Sequence, residues 1–256
     1  MEPDGLVLLD VTDDVAVLTL NRPDARNALS PELIVRLQQT CAECDTRDDV
    51  AAMVVTGADP AFCGGIDLKR LAAGTNDAVG LIGDGPFPPV RKPIIGAING
   101  AAVTGGLELA LACDFLVASE RARFADTHAR VGVMPGWGLT IALPAAIGLR
   151  RAKQMSFTGN YVDATTALAW GLVNEVVAHD QLLARARQIA LDIASIRSVC
   201  VQELRSIYHE VANRVGDDAR AFESRRSREW LRESFDRAQL ATEREDIVRR
   251  GRSQLS

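Results

Sequence analysis

The chain opens with two β-type runs, Leu6–Val11 and Val15–Leu20, separated by Thr12-Asp13-Asp14, which together read as a hairpin. Asn21-Arg22-Pro23 ends the second run. Ser30-Pro31-Glu32 supplies an N-cap, a proline at the first helical position and an acid in the first turn, predicting a helix to about Cys44. Val50–Thr56 is short and almost entirely apolar, the pattern of a strand covered on both faces, and Ile94–Ile98 and Phe115–Ala118 are further strands. Between them, Gly57–Gly65 is expected as a loop, with a short helix near Asp67–Ala72. Gly74–Pro89, rich in Gly, Pro and Asp and without period, reads as a loop or lid. Ala101–Cys113 predicts a helix opening at Gly105-Gly106, while Phe124–Gly138 holds too many glycines for a regular element. From Leu139 the period is helical apart from an apolar run at Leu172–Val177. Residues 217–252 form an Arg-, Glu- and Asp-rich stretch with a thin apolar stripe of Phe222, Trp230, Leu231 and Phe235. Strand and helix alternating at this spacing imply an α/β fold with right-handed βαβ crossovers.

Composition narrows the function classes. A length of 256 residues suits one large domain or one domain with an appendage, and 47% apolar with 25% charged residues excludes disordered and collagen-like chains. Lys and Arg number 29 against 34 acids, and no basic cluster precedes the last forty residues, so neither nucleic acid nor an anionic membrane is the expected partner. No apolar run approaches the ~18 residues of a membrane helix, and MEPDGLVLLD lacks a basic leader, so a soluble cytoplasmic protein is expected. Five scattered cysteines fit reduced thiols, and Cys41-x-x-Cys44 lacks the second pair or nearby histidines of a zinc site, so no metal is expected. Only three lysines occur (Lys69, Lys92, Lys153), none in an obviously desolvated setting, which leaves few candidates for Schiff-base chemistry. Dinucleotide, P-loop, serine-hydrolase and zincin motifs are all missing.

The candidate chemistry lies in three segments. Glu108 is the only charge in Ala101–Cys113; a carboxylate in so apolar a helix is either a buried general acid or base, or a first-turn partner of the helix dipole. Gly105-Gly106 just before it leaves backbone amides open at a helix start, as an oxyanion hole requires, and Cys63-Gly64-Gly65 presents a second Gly pair. His128 lies two residues after Asp126, as an oriented acid or base would, or as an ordinary structural histidine. His179 and His209 read as structural, and a Cys63 nucleophile paired with His128 has little support from a Cys-Gly-Gly loop.

Asn21-Arg-Pro-Asp-Ala-Arg-Asn-Ala-Leu29, Ala61-Phe-Cys-Gly-Gly-Ile-Asp-Leu68, Ile98-Asn-Gly-Ala-Ala-Val-Thr-Gly-Gly-Leu-Glu-Leu-Ala110 and Ala112-Cys-Asp114 closely resemble the enoyl-CoA hydratase/isomerase (crotonase) superfamily. Gly132–Gly138, Thr158-Gly159 and Ala167–Val173 extend the likeness, which covers about residues 5–250. The resemblance implies an α/β core of repeated ββα units over residues 1–195. It also implies a helical region over 196–256 used in trimers or dimers of trimers. Its ligand would be an acyl-CoA thioester whose enolate is held by two backbone amides, here Gly64 and Gly105; CoA belongs to the substrate and no separate cofactor is implied. Ala25, Arg26 and Ala28 would meet the adenine and phosphate end, Gly65, Ile66 and Asp67 the pantetheine, and Arg250 would reach in from a neighbouring subunit. In the hydratase pattern two glutamates flank a water; the first corresponds to Glu108, and the second is replaced by His128. The implied activity is hydration of a 2-enoyl-CoA, with isomerisation, thioester hydrolysis or acyl-CoA binding without catalysis as alternatives.

Overall fold

The computed structural model describes residues 5–67, 70, 85–212, 222, 225 and 233. The predicted hairpin forms from β1 (Val7–Thr12) and β2 (Val15–Leu20), paired antiparallel from Val7 opposite Leu20 to Thr12 opposite Val15. The predicted helix α1 (Pro31–Thr46) starts where Ser30 Oγ accepts the Leu33 N–H at 3.3 Å. Its other end is closed by Lys92, whose Nζ donates to the Cys44 carbonyl at 2.9 Å. Lys92 is buried, and burial lowers its pKa, so one lysine does occupy a desolvated setting; a helix C-terminus holds it there.

After α1 the chain repeats a unit of one long and one short strand. β3 (Ala52–Gly57), β5 (Ile94–Ile98) and β7 (Phe115–Ser119) are the predicted strands. Each is followed by a three-residue strand that the periodicity does not disclose: β4 (Ala61–Cys63), β6 (Ala101–Val103) and β8 (Arg123–Ala125). The long strands join a sheet in the order β1-β2-β3-β5-β7-β10, where β10 is Glu175–Val177; β2 to β10 run parallel and β1 is antiparallel at the edge. The short ones form a second sheet, β4-β6-β8-β9, with β9 at Val162–Asp163. The ββα core expected from the resemblance is therefore present. Two expectations change in detail. Residues 101–103 pair with β4 and β8 rather than starting a helix, and α2 is confined to Gly105–Leu111. Within Phe124–Gly138, β8 and a single turn, α3 (His128–Val131), are regular.

Strict alternation splits the main sheet's side chains between two cores. Ala16, Leu18, Leu20, Met53, Val55, Ile94 and Ile98 point toward α1, α2 and the second sheet, where Phe62 and Phe124 are fully buried. Val15, Val17, Ala52, Val54, Ile95, Ala97 and Val117 face α7 (Leu182–Ala194), whose small Ala186 and Ala190 let it lie close. Between these elements run α4 (Leu139–Ile147), α5 (Leu149–Thr158) and α6 (Ala164–Trp170). The chain divides into compact units between Gln202 and Glu203, and α8 (Ser198–Ala212) runs across that division. Most of the expected helix near Asp67–Ala72, most of the loop Gly74–Pro89, and Trp230, Leu231, Phe235 and Arg250 lie outside the described residues. No helix among the described residues is long and apolar enough to cross a membrane.

Candidate active site

The loop after β2 is held by one buried side chain. Asn27, fully buried, donates through Nδ2 to the Ala58 carbonyl at 2.8 Å and the Ala61 carbonyl at 2.7 Å, while its Oδ1 accepts the Arg22 N–H at 2.8 Å. Its φ of 54° is in the left-handed region, where Asn is among the few favoured non-glycine residues. This fixes Ala25, Arg26 and Ala28 beside the segment after β4. Arg22 completes the joint, donating to the Ala28 carbonyl and pairing with Asp67 Oδ2 at 3.1 Å.

That joint decides which amides of residues 64–67 are open. The Gly64 N–H donates to the Arg26 carbonyl at 2.9 Å, so Gly64, expected as an oxyanion donor, spends its proton on the protein itself. Leu29 and Ile66 form an isolated parallel bridge in which the Leu29 N–H donates to the Gly65 carbonyl at 2.7 Å and the Asp67 N–H to the Leu29 carbonyl at 3.2 Å. A bridge of this form engages the Gly65 carbonyl and the Asp67 N–H and leaves the Ile66 N–H pointing away from Leu29. Among the described residues the Ile66 N–H has no acceptor. Gly65, at φ +87°, makes the turn; a Cβ there would stand 2.5 Å from the Val103 carbonyl oxygen.

Gly105 lies beside Ile66 at the start of α2. A Cβ on it would lie 3.8 Å from the Ile66 nitrogen, so the two amides are neighbours, and the Gly105 N–H has no acceptor among the described residues. Thr104 aims that peptide from φ 56°, ψ −113°, a conformation ordinarily reserved for glycine. Its Oγ1 lies 2.5 Å from Thr127 Oγ1 and accepts the Thr127 N–H at 3.1 Å, tying the start of α2 to the segment before His128.

Three residues on, Glu108 is 5% exposed. Its Oε1 accepts the Gly136 N–H at 3.2 Å and the Trp137 N–H at 2.8 Å, and its Oε2 lies 3.5 Å from His128 Nε2. The other His128 nitrogen, Nδ1, is 2.6 Å from Asp126 Oδ1. Burial opposes charging the ring, but the Asp126 and Glu108 contacts outweigh it and push the His128 pKa up to about 9. Asp126 is held below the usual carboxylate range: burial works against this, and the contacts with His128 and Ser156 prevail. At neutral pH His128 is therefore an imidazolium, set between Asp126 and Glu108.

The remaining candidates separate cleanly. Cys63 is fully buried and burial pushes its thiol up to about 12, which removes it as a nucleophile. Cys41 and Cys44 are buried on α1, and among the described residues no group of His, Cys, Asp and Glu could hold a metal. His179 is a structural link between Ser119 Oγ at 3.0 Å and Asp59 Oδ2 at 3.1 Å. Arg26 exposes its side chain beside the loop, and Arg250 is outside the described residues. Sequence reasoning named Ile66 for the pantetheine but not as an amide donor, since only the bridge to Leu29 shows which amide is left open.

A family model described as Enoyl-CoA hydratase/isomerase matches residues 10–241. A protein named probable enoyl-CoA hydratase 1, peroxisomal, from Arabidopsis thaliana is 40% identical over 202 residues, covering 77% of this chain and 75% of its own. An (E)-benzylidenesuccinyl-CoA hydratase from Thauera aromatica is 43% identical over 202 residues, covering 77% and 79%. The crystal structure of an enoyl-CoA hydratase from Mycobacterium tuberculosis H37Rv superposes with a TM-score of 0.75 at 52% identity, over 80% of this chain and 90% of that one. The crotonase fold is thus common to sequence and structure, and the chain belongs to the enoyl-CoA hydratase/isomerase family.

Proposed function

We propose that this protein is an enoyl-CoA hydratase-type lyase that adds water across the double bond of a 2-enoyl-CoA. The observation that carries the reading is Glu108, a buried carboxylate with one oxygen fixed by two backbone amides and the other facing His128. The thioester carbonyl would accept the Ile66 and Gly105 N–H groups, which stabilise the enolate as charge develops. Glu108 takes a proton from water as its oxygen bonds to Cβ, and the electron pair of the double bond moves into the enolate. His128, charged at neutral pH, gives its Nε2 proton to Cα. The proton on Glu108 then passes to His128, restoring both groups, so that the net change is one water added.

Ala25, Arg26 and Ala28 are assigned to the adenine and phosphate end of CoA, with Gly65, Ile66 and Asp67 along the pantetheine and Arg250 as a further phosphate partner. No cofactor beyond the CoA of the substrate is part of this reading. Assembly into trimers or dimers of trimers through residues 196–256 is supported by exposed Ile196, Val199, Leu204 and Tyr208. Five free thiols support a cytoplasmic, reducing setting.

The test is turnover of crotonyl-CoA and longer enoyl-CoA esters, followed by loss of the conjugated thioester absorbance. Glu108→Gln is expected to lower kcat by about 10²–10⁴ with KM little changed. No turnover at any chain length, or full activity in the variant, overturns the reading. The replacement of a second glutamate by His128 favours isomerisation or thioester hydrolysis as the second reading, and product mass separates these, because hydration adds the mass of water and isomerisation adds none.

A further inference from the structure

We propose that Asp126 is a positioning residue for this reaction, holding the His128 ring so that Nε2 faces the one oxygen of Glu108 that the backbone leaves open. The proposal rests on the hydratase reading and adds to it a residue that acts only through another. Asp126 Oδ1 accepts both the His128 backbone N–H at 3.1 Å and the ring Nδ1–H at 2.6 Å. Ser156, from α5, lies beside the Asp126 carboxylate and favours its charged form. A local turn of the chain accounts for the first of these contacts; the buried ring contact and the contact from a separate helix it does not. Nδ1 so engaged, Nε2 is the only ring nitrogen left, and it stands 3.5 Å from Glu108 Oε2.

The chain Asp126–His128–Glu108 is thereby anchored at both ends, by the His128 backbone N–H on the Asp126 carboxylate and by the Gly136 and Trp137 amides on Glu108. The charged groups facing the ring are Asp126 from its own segment and Glu108 from α2, while α5 contributes the Ser156 hydroxyl. Two carboxylates around one imidazole favour the charged ring, which is the form that can donate. An uncharged amide at position 126 keeps the shape and removes that preference.

The experiment combines kinetics on crotonyl-CoA with NMR titration of the His128 ring. Asp126→Asn is expected to lower kcat by about ten- to a thousandfold with KM within about threefold, and to move the ring's titration midpoint from about 9 toward the ordinary 6.5. Ser156→Ala, a milder change, shifts both in the same direction by less. His128→Glu in the native background crowds three carboxylates together, so Asp126→Asn combined with His128→Glu is expected to be at least about tenfold more active than His128→Glu alone. An Asp126 with a purely structural role would make that double variant worse. The proposal is overturned if Asp126→Asn leaves kcat within twofold, if the midpoint does not move, or if the double variant gains nothing. A wild-type protein without turnover overturns the hydratase reading alone, and the titration midpoint then still decides whether Asp126 holds the ring.

Discussion

Replacing Thr104 separates strain from contact. At φ 56°, ψ −113° a β-branched residue is strained by about 1–3 kcal/mol, and glycine removes that cost. Against this, Thr104→Gly loses the Thr127 hydrogen bonding, worth about 0.5–1.5 kcal/mol, and gains unfolded-state freedom worth about 0.5–1 kcal/mol. The terms nearly cancel, so stability is expected to stay within about 1 kcal/mol of the wild type. Thr104→Val keeps the strain and loses the same Thr127 hydrogen bonding, again about 0.5–1.5 kcal/mol. The valine variant is thus expected to be the less stable, the reverse of the usual order at a buried, non-helical position. Urea unfolding with matched slopes measures both. Activity is expected to fall in both variants, by about tenfold, because the Gly105 peptide loses the clasp that aims it. A valine variant as stable as the glycine variant would show that the backbone at Thr104 carries no strain and would refute the reasoning.

Asn27→Ala removes three hydrogen bonds from a fully buried position and is expected to cost about 3–5 kcal/mol, with KM for the acyl-CoA rising more than kcat falls; denaturant unfolding and steady-state kinetics check this, and an unchanged KM would separate the loop from ligand binding. The His128 pKa is raised from 6.5 to about 9 on folding, so its stabilisation is fully present below about pH 6.5 and is lost as the pH rises through 9. Unfolding free energies at pH 6 and pH 10 are expected to differ by about 1–3 kcal/mol more in the wild type than in His128→Gln. Equal differences in the two proteins would count against the charged ring.

Much of the fold is legible from period alone. The hairpin, α1 and the strands 94–98 and 115–119 show their patterns over five or more residues. The second sheet does not, because three residues at Ala61, Ala101 and Arg123 are too few to display alternation. Ala101–Val103 merged with the helix after it since both are apolar; what divides them is the approach of β4, so close that a Cβ on Gly106 would lie 2.1 Å from the Cys63 carbonyl oxygen. At the site, Glu108 stood out as a lone charge and Asp126 as a neighbour of His128. Their meeting, 18 and 20 residues of chain folded back through β7 and β8, is tertiary. The choice of Ile66 over Gly64 depends on one bridge to Leu29, which no local pattern announces.

The alternation of long and short strands has a consequence for how chemistry is distributed along the chain. The first repeat ends in the Ile66 amide, the second in the Gly105 amide and Glu108, and the third in Asp126, His128 and the Gly136–Trp137 turn. Under the proposed mechanism, thioester activation is thus encoded in the first two repeats and proton delivery to Cα in the third. On that mechanism a change confined to residues 123–138 would redirect the reaction while the apparatus that grips the carbonyl stays intact, each repeat serving as a module with its own chemical duty.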